Sequence, residues 1–199
     1  MFQINEDLKV QIFNIEEKIF FVIDNFYKDP DQVREYAITS KKYKDEDLLA
    51  GAIGRRVCED DLRLSYYMKD VFEKLCKHPK WHIEFDKDHH DNKWSAMRFM
   101  VNVTNNQEII KDGRENIEHL DGPLNKWACV VYLNTPEECE GGTEFYRWNG
   151  DFNTKPILEY IAEMSYNRAV LYDANMVHGA IMKPKMFTTC DRLVQVMFM

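Results

Sequence analysis

The sequence predicts a mainly β domain of α+β type, a barrel or jelly roll with helices in its first third buttressing one sheet from outside. Three observations predict it. After Trp81, short apolar or alternating runs recur, separated by polar or glycine-bearing turns, the signature of many short strands. Before residue 80, Leu64, Tyr67, Met68, Val71, Phe72 and Leu75 fall at helical spacing, which marks an amphipathic helix. The length of 199 residues suits one domain with a real core and is short for two.

Each element follows from local chemistry. Lys9 to Ile15 and Lys18 to Ile23 are β-prone runs with two residues between them, a hairpin. Asp29-Pro30 supplies an N-cap and a first-turn proline, and Gln32 to Thr39 continues as a helix. Lys41 to Val57 is polar and broken by glycines, so it is expected as a loop, and Asp61 to His78 holds the amphipathic helix. Met97, Phe99, Val101 and Val103 occupy alternate positions of one strand. Trp127 to Asn134 is a strong strand, Gly141 to Phe145 a turn entering the next, and Ile157 to Met164 either a short helix or an interrupted strand. Ala169 to Tyr172 and Arg192 to Phe198 complete the set. The reading is a single domain over 1–199, helix-rich to about residue 80 and a β core from about 81 onward.

Composition narrows the function classes. Apolar content of 45% and charged content of 30% are ordinary for a soluble globular protein. A net charge of −8 with no dense Lys/Arg block disfavours a nucleic-acid partner. No run reaches the length of a membrane span, and no leader pattern opens the chain. Five scattered cysteines without a CxxC read as reduced thiols of a cytoplasmic protein, with Cys139 an exposed one.

The chemistry concentrates in His119-Leu120-Asp121, His178 and Arg192. A His-x-Asp pair with a distant second histidine is the ligand set of the 2-His-1-carboxylate facial triad, which holds Fe(II) on one face and leaves positions open. In an extended segment, His119 and Asp121 point to one side and Leu120 to the other, expected toward the core. Gly122-Pro123 ends the segment at once, and Gly179 permits close approach beside His178. Arg192 opens an apolar strand, Leu193 to Phe198, where a charge costs free energy unless it is matched. A guanidinium there suits bidentate binding of a dicarboxylate, and the bland alternative is a surface arginine at a strand start. His89-His90-Asp91 repeats the tripeptide pattern inside a run of seven polar residues, 87–93, and reads as a solvated loop. His78 and His82 are expected to be structural.

These residues resemble the Fe(II)- and 2-oxoglutarate-dependent oxygenases, most of all the prolyl-hydroxylase-like branch. HLDGP…WACVVYLNTPEECEGGTEFY, NRAVLYDANMVHGA and DRLVQVMF carry the likeness most specifically, and VIDNFYKDPDQVREYA extends it to about residue 20. The resemblance implies a double-stranded β-helix of jelly-roll, cupin-like kind. It implies iron ligands at His119, Asp121 and His178. It implies Arg192 as partner of the distal carboxylate of 2-oxoglutarate, helped by the Tyr132 hydroxyl, with Asn102 a lesser candidate on the opposite sheet. The Gly141-Gly142 turn has mainly a conformational role. One departure is that fourteen positions separate His178 from Arg192, more than is common, so Met182 to Cys190 forms a longer loop and Lys183 or Lys185 is the fallback anchor.

The expected activity is therefore hydroxylation of a small-molecule or peptidyl (for instance prolyl) substrate, consuming O₂ and 2-oxoglutarate and releasing succinate and CO₂. The acidic balance favours a neutral or cationic substrate. Asp121 fills the position a halogenase would leave vacant. Two alternatives stay open: a cupin-type metal enzyme with no dicarboxylate to bind, and a catalytically silent jelly-roll binding protein.

Overall fold

The computed structural model describes residues 1–39, 43–44, 55–59, 62–75, 99–104, 118–122, 126–151 and 153–198. Strands β1 (Lys9–Ile15) and β2 (Lys18–Asp24) form the expected hairpin, paired from Lys9↔Asp24 to Ile15↔Lys18. Its two-residue turn places Glu16 at φ 57, the left-handed region that such tight hairpin turns require. Helix α1 (Pro30–Thr39) begins as predicted. The backbone N–H of Gln32 donates to Asp29 Oδ1 at 3.1 Å, which satisfies one of the orphan donors of the first turn. The second helix, α2 (Leu62–Leu75), keeps the amphipathic stripe, with Met68 and Phe72 fully buried.

The remaining strands are β3 (Tyr43–Lys44), β4 (Arg55–Glu59), β5 (Phe99–Thr104), β6 (Trp127–Tyr132), β7 (Gly142–Arg147), β8 (Ile157–Glu163), β9 (Ala169–Asp173), β10 (Val177–Ile181) and β11 (Arg192–Phe198). Among the described residues they make two antiparallel sheets, eight strands in the order β1-β2-β9-β6-β11-β5-β4-β3 and three in the order β10-β7-β8. One expectation changes. Lys41 to Val57 is not all loop, because Tyr43–Lys44 pairs with Arg56 and Val57 at the sheet edge. The backbone partner outweighs the polar composition. Of the two readings of 157–164, the interrupted strand holds: Ile157–Glu163 pairs with β7, and Glu159 is the extra residue where the register shifts, Phe145 pairing with Tyr160 and Tyr146 with Leu158. The strands of the first 80 residues extend the large sheet at both ends, β2 pairing with β9 and β4 with β5. The polar run 87–93, with His89-His90-Asp91, and His78 and His82 lie outside the described residues.

Alternation along the strands sends side chains of the large sheet to two cores. One holds Phe21, Ile23, Cys129, Val131 and Leu171 against Val33, Ala37, Met68 and Phe72 of the helices. The other holds Phe20, Val22, Val130, Tyr132, Tyr172 and Val194 against Phe145, Ala162 and Met164 of the small-sheet side. Phe145 joins the layers, its ring 4.5 Å from Phe20 and 5.3 Å from Tyr172. Helices thus cover one face of the large sheet and the small sheet covers the other.

Gly142 shows why the Gly-Gly turn needs its composition. Its φ is +149, and a Cβ there would lie 2.2 Å from the Ala162 carbonyl oxygen across the β7–β8 pair. Gly150 also has a positive φ, of +84, but a Cβ there meets open space. Gly142→Ala is expected to cost more than 3 kcal/mol, since about 1–3 kcal/mol of backbone strain is joined by a clash with main chain. Gly150→Ala should cost roughly 1–2 kcal/mol, the strain alone. Urea unfolding of the two variants checks the ordering; equal losses would contradict it.

Candidate metal centre

The site is built on one backbone pairing. Residues 118–122 run alongside β10, and His119 and His178 form an isolated antiparallel bridge. They exchange both N–H···O bonds, His119 to His178 at 2.8 Å and the reverse at 3.1 Å. Directly opposed residues of such a pair carry their side chains on the same face, and the two imidazole rings stand 4.3 Å apart. Two residues on, Asp121 returns to that face, its backbone N–H donating to the Ala174 carbonyl at 2.9 Å. Gly122 then turns the chain at φ +81.

That geometry corrects one expectation. Leu120 does not enter the core; it is 39% exposed. The segment lies at the surface here: the His119 side chain is 46% exposed as well, and Asp121, at 9%, is the one that turns inward.

His119, Asp121 and His178 offer ligand atoms that all lie within 4.8 Å of one another, a set that can hold a metal ion. His119 Nε2 is 3.5 Å from Asp121 Oδ1, and His178 Nε2 is 3.4 Å from Asp121 Oδ2. His178 Nδ1 lies 2.9 Å from the Met176 carbonyl, which only accepts. That nitrogen carries the hydrogen, and the Nε2 lone pair faces the other two ligands, the arrangement typical of a metal-binding histidine. Burial pushes the His178 imidazole down to about 4, against the pull of Asp121. It is therefore neutral at ordinary pH, as a ligand must be. Burial works to raise Asp121, but the hydrogen bond from His119, the nearby His178 and donation from Tyr172 outweigh it and hold the carboxyl below its usual range.

Tyr172 is the functional residue that sequence reasoning missed. It lies on β9 with its hydroxyl 3.1 Å from Asp121 Oδ2 and 3.0 Å from His178 Nε2. The available signal was its alternation with Val170 on the strand just before His178, which puts both on the inter-sheet face.

Arg192, alternating with Val194, lies on that same face and is 4% exposed. Its Nε is buried with no hydrogen-bond partner, and the described residues present no acid paired with its guanidinium. Burial pushes it down, against an opposing influence of the Tyr132 and Tyr172 hydroxyls. Tyr132 is fully buried, its hydroxyl 2.7 Å from Thr143 Oγ1 and 3.3 Å from the Ala162 carbonyl, and burial pushes it up to about 12. The fallback anchors Lys183 and Lys185 are both exposed. Asn102 pairs with Val194 in the backbone of β5 and β11. Cys129, Cys139 and Cys190 are free thiols, and Cys139 is half-buried rather than exposed, its Sγ 3.4 Å from the Asn134 carbonyl oxygen. No helix among the described residues is long and apolar enough to cross a membrane.

No protein-family model matches the chain, and no curated protein matches it. Among solved structures it is similar to one titled "Crystal Structure of EvdMO1", at 12% identity and a TM-score of 0.34, covering 98% of this chain. The chain spans about half the length of that protein, 55%.

The His178 environment sets a pH dependence. With chelator present, the unfolded chain takes up a proton near 6.5 that the folded chain refuses until about 4. Stability should therefore fall as pH drops from about 6.5 to about 4, by up to roughly 3 kcal/mol. Urea unfolding across this range should show that slope, and His178→Asn should flatten it. A wild-type profile as flat as the variant's would contradict the assignment.

Proposed function

We propose that this protein is an Fe(II)- and 2-oxoglutarate-dependent oxygenase that hydroxylates a small-molecule or peptidyl substrate. The observation that carries the proposal is Arg192, a buried guanidinium without an acid partner among the described residues, on the same inter-sheet face as a His-Asp-His triad. A buried unpaired charge is strongly destabilising, so its retention calls for an anion that is not part of the described fold. A dicarboxylate meets both demands, one end at the metal and the other at the arginine. A cupin-type metal enzyme or a silent binding protein gives Arg192 no such partner.

Strand order supports a double-stranded β-helix. From β5 onward the chain passes to the His119 segment beside β10, back to β6, across to β7 and β8, back to β9, across to β10, and back to β11. The inner strands of the large sheet are then β9-β6-β11-β5, facing the His119 segment with β10-β7-β8. The triad sits at the end where both layers supply side chains.

The donor set fits iron: two imidazoles and a carboxylate are three ligands, which leave the other positions of a six-coordinate ion to co-substrate and O₂. Fe(II), when bound, supplies keto-acid chelation and O₂ activation. The overall reaction is R–H + 2-oxoglutarate + O₂ giving R–OH + succinate + CO₂. The chain's part is positioning. Arg192 fixes the distal carboxylate, with the Tyr132 hydroxyl, now bonded to Thr143 on the same inter-sheet face, to join it. Aromatic walls of Phe145 and Tyr172 exclude water. The net charge of −8 favours a neutral or cationic substrate at long range.

Two outcomes follow. His119→Ala and His178→Ala should each abolish stoichiometric Fe(II) binding by metal analysis while circular dichroism stays near wild type; unchanged iron in both would end the proposal. With Mn(II) bound at fixed ionic strength, Arg192→Lys should weaken 2-oxoglutarate binding about tenfold or more, because an ammonium lacks the planar fork. Arg192→Glu should eliminate binding, and Lys183→Glu should leave it near wild type. Calorimetry reads all three, and binding lost in Lys183→Glu but kept in Arg192→Glu would move the anchor to the loop.

A further inference from the structure

We propose that Asn134 is the positioning residue of the co-substrate anchor: its side-chain amide holds the peptide groups on both sides of Arg192 and so aims the guanidinium at the distal carboxylate. The inference rests on the 2-oxoglutarate reading above and adds a residue to it.

The need for such a residue follows from where the ladder ends. β6 and β11 pair from Ala128↔Phe198 only as far as Tyr132↔Val194. Arg192 lies two residues further out, and its strand partner is Thr104, on the β5 side. On the β6 side one more backbone bond forms, from the Leu133 N–H to the Leu193 carbonyl at 3.0 Å. There β6 has already ended, at Tyr132. A strand end with a ladder on one side frays more readily than its middle.

Asn134 replaces the missing ladder with a side chain. The residue is 1% exposed. Its Oδ1 accepts from the Leu193 N–H at 2.7 Å, and its Nδ2 donates to the Asp191 carbonyl at 2.8 Å. The amide cannot be turned round, because a backbone N–H only donates and a carbonyl only accepts. The Asp191 carbonyl belongs to the peptide plane before Arg192, and the Leu193 N–H to the plane after it. Each plane is rigid, so the only soft rotations between them are the φ and ψ of Arg192. One amide therefore fixes both, and with them the direction of the Arg192 Cα–Cβ bond. The Arg192 Nε, buried and without a hydrogen-bond partner, does nothing to hold the side chain from its far end, so its aim comes from the backbone.

Asn134 is itself anchored. Its carbonyl oxygen lies 3.4 Å from Cys139 Sγ. Two residues earlier, the Tyr132 N–H donates to the Arg168 carbonyl and the Tyr132 carbonyl accepts from the Asn167 N–H, both at 2.9 Å. The span 132–134 thus sets Tyr132 and Arg192, the two groups proposed for the distal carboxylate, relative to each other.

The test compares two ligands on Mn(II)-loaded wild type and Asn134→Ala by calorimetry at fixed ionic strength. 2-Oxoglutarate reaches for the anchor; oxalate chelates an ion and has no distal arm. The variant should bind 2-oxoglutarate about tenfold more weakly, the worth of roughly 1.4 kcal/mol of lost hydrogen bonding, while oxalate and Mn(II) bind as in wild type. Asn134→Ser, whose hydroxyl can keep one of the two bonds, should fall between, and it carries the same comparison if the alanine variant does not fold. Unchanged 2-oxoglutarate affinity in a folded variant overturns the inference. So does an equal loss for 2-oxoglutarate and oxalate, because that makes Asn134 a general support of the fold. Failure of the underlying reading looks different: Mn(II)-loaded wild type binds oxalate but not 2-oxoglutarate, or Arg192→Glu binds 2-oxoglutarate like wild type, and both proposals then fall together.

Discussion

The whole site hangs on two backbone hydrogen bonds. The His119–His178 bridge joins a five-residue described stretch to the edge of the small sheet, and it alone decides that two imidazoles face each other. A slip of one residue would take His119 off the face it shares with His178 and put Leu120 there, since side chains alternate along an extended segment. The contact from Asp121 N–H to the Ala174 carbonyl guards against that slip, because it fixes the segment a second time on the turn between β9 and β10. Ligand geometry here is a matter of register, set by main chain before any metal arrives.

The space between the sheets is costly to build. It holds a guanidinium, two phenols, an imidazole and a carboxylate among phenylalanine and valine side chains. Buried polar groups weaken a fold unless they satisfy one another. Part of this set does: Tyr132 with Thr143, and Tyr172 with Asp121 and His178. Arg192 Nε does not. The opposite face of the same sheet offsets the cost. There, Phe21, Ile23, Phe26, Val131 and Leu171 pack against both helices with almost no exposure. The eight-stranded sheet thus has one apolar face packed on the helices and one that carries the buried polar groups.

Much of this was legible in the sequence, and the exceptions have physical causes. The hairpin, the two helices and the long apolar strands were readable because burial on one or both faces leaves a periodic or continuous apolar trace. β3 was not, since two polar residues at a sheet edge leave none. β8 was ambiguous because its ILEYIAE pattern suits a helix stripe or a strand, and only the pairing with β7 decides. His119, Asp121 and His178, which could hold a metal ion, were visible from the His-x-Asp pattern and the distant histidine, and Arg192 from its place at the start of an apolar strand. Tyr172 was hidden for the opposite reason: a tyrosine in a strand is usually core, and only three-dimensional distance reveals where its hydroxyl ends. Leu120 misled because alternation tells which residues share a side but not that the segment lies at the surface, where His119 and Leu120 are both exposed.

The long connection between His178 and Arg192 is where sequence reasoning was most exposed, and the structure accounts for it. β10 ends at Ile181 and β11 begins at Arg192. Between them the chain does not hang free. Phe187 is 2% exposed, its backbone N–H donates to Glu140 Oε2 at 3.2 Å, and Met182 and Met186 pack on the inter-sheet cluster. Extra length has become cover. The start of β11 is meanwhile pinned from the other side by Asn134, whose Oδ1 accepts from the Leu193 N–H at 2.7 Å and whose Nδ2 donates to the Asp191 carbonyl at 2.8 Å. Those two bonds bracket Arg192 and fix its register independently of the loop. A longer loop therefore does not displace the guanidinium. It places Lys183 and Lys185 in solvent instead, with Lys185 at φ 81 on the turn, and leaves Arg192 as the buried cation of the inter-sheet space.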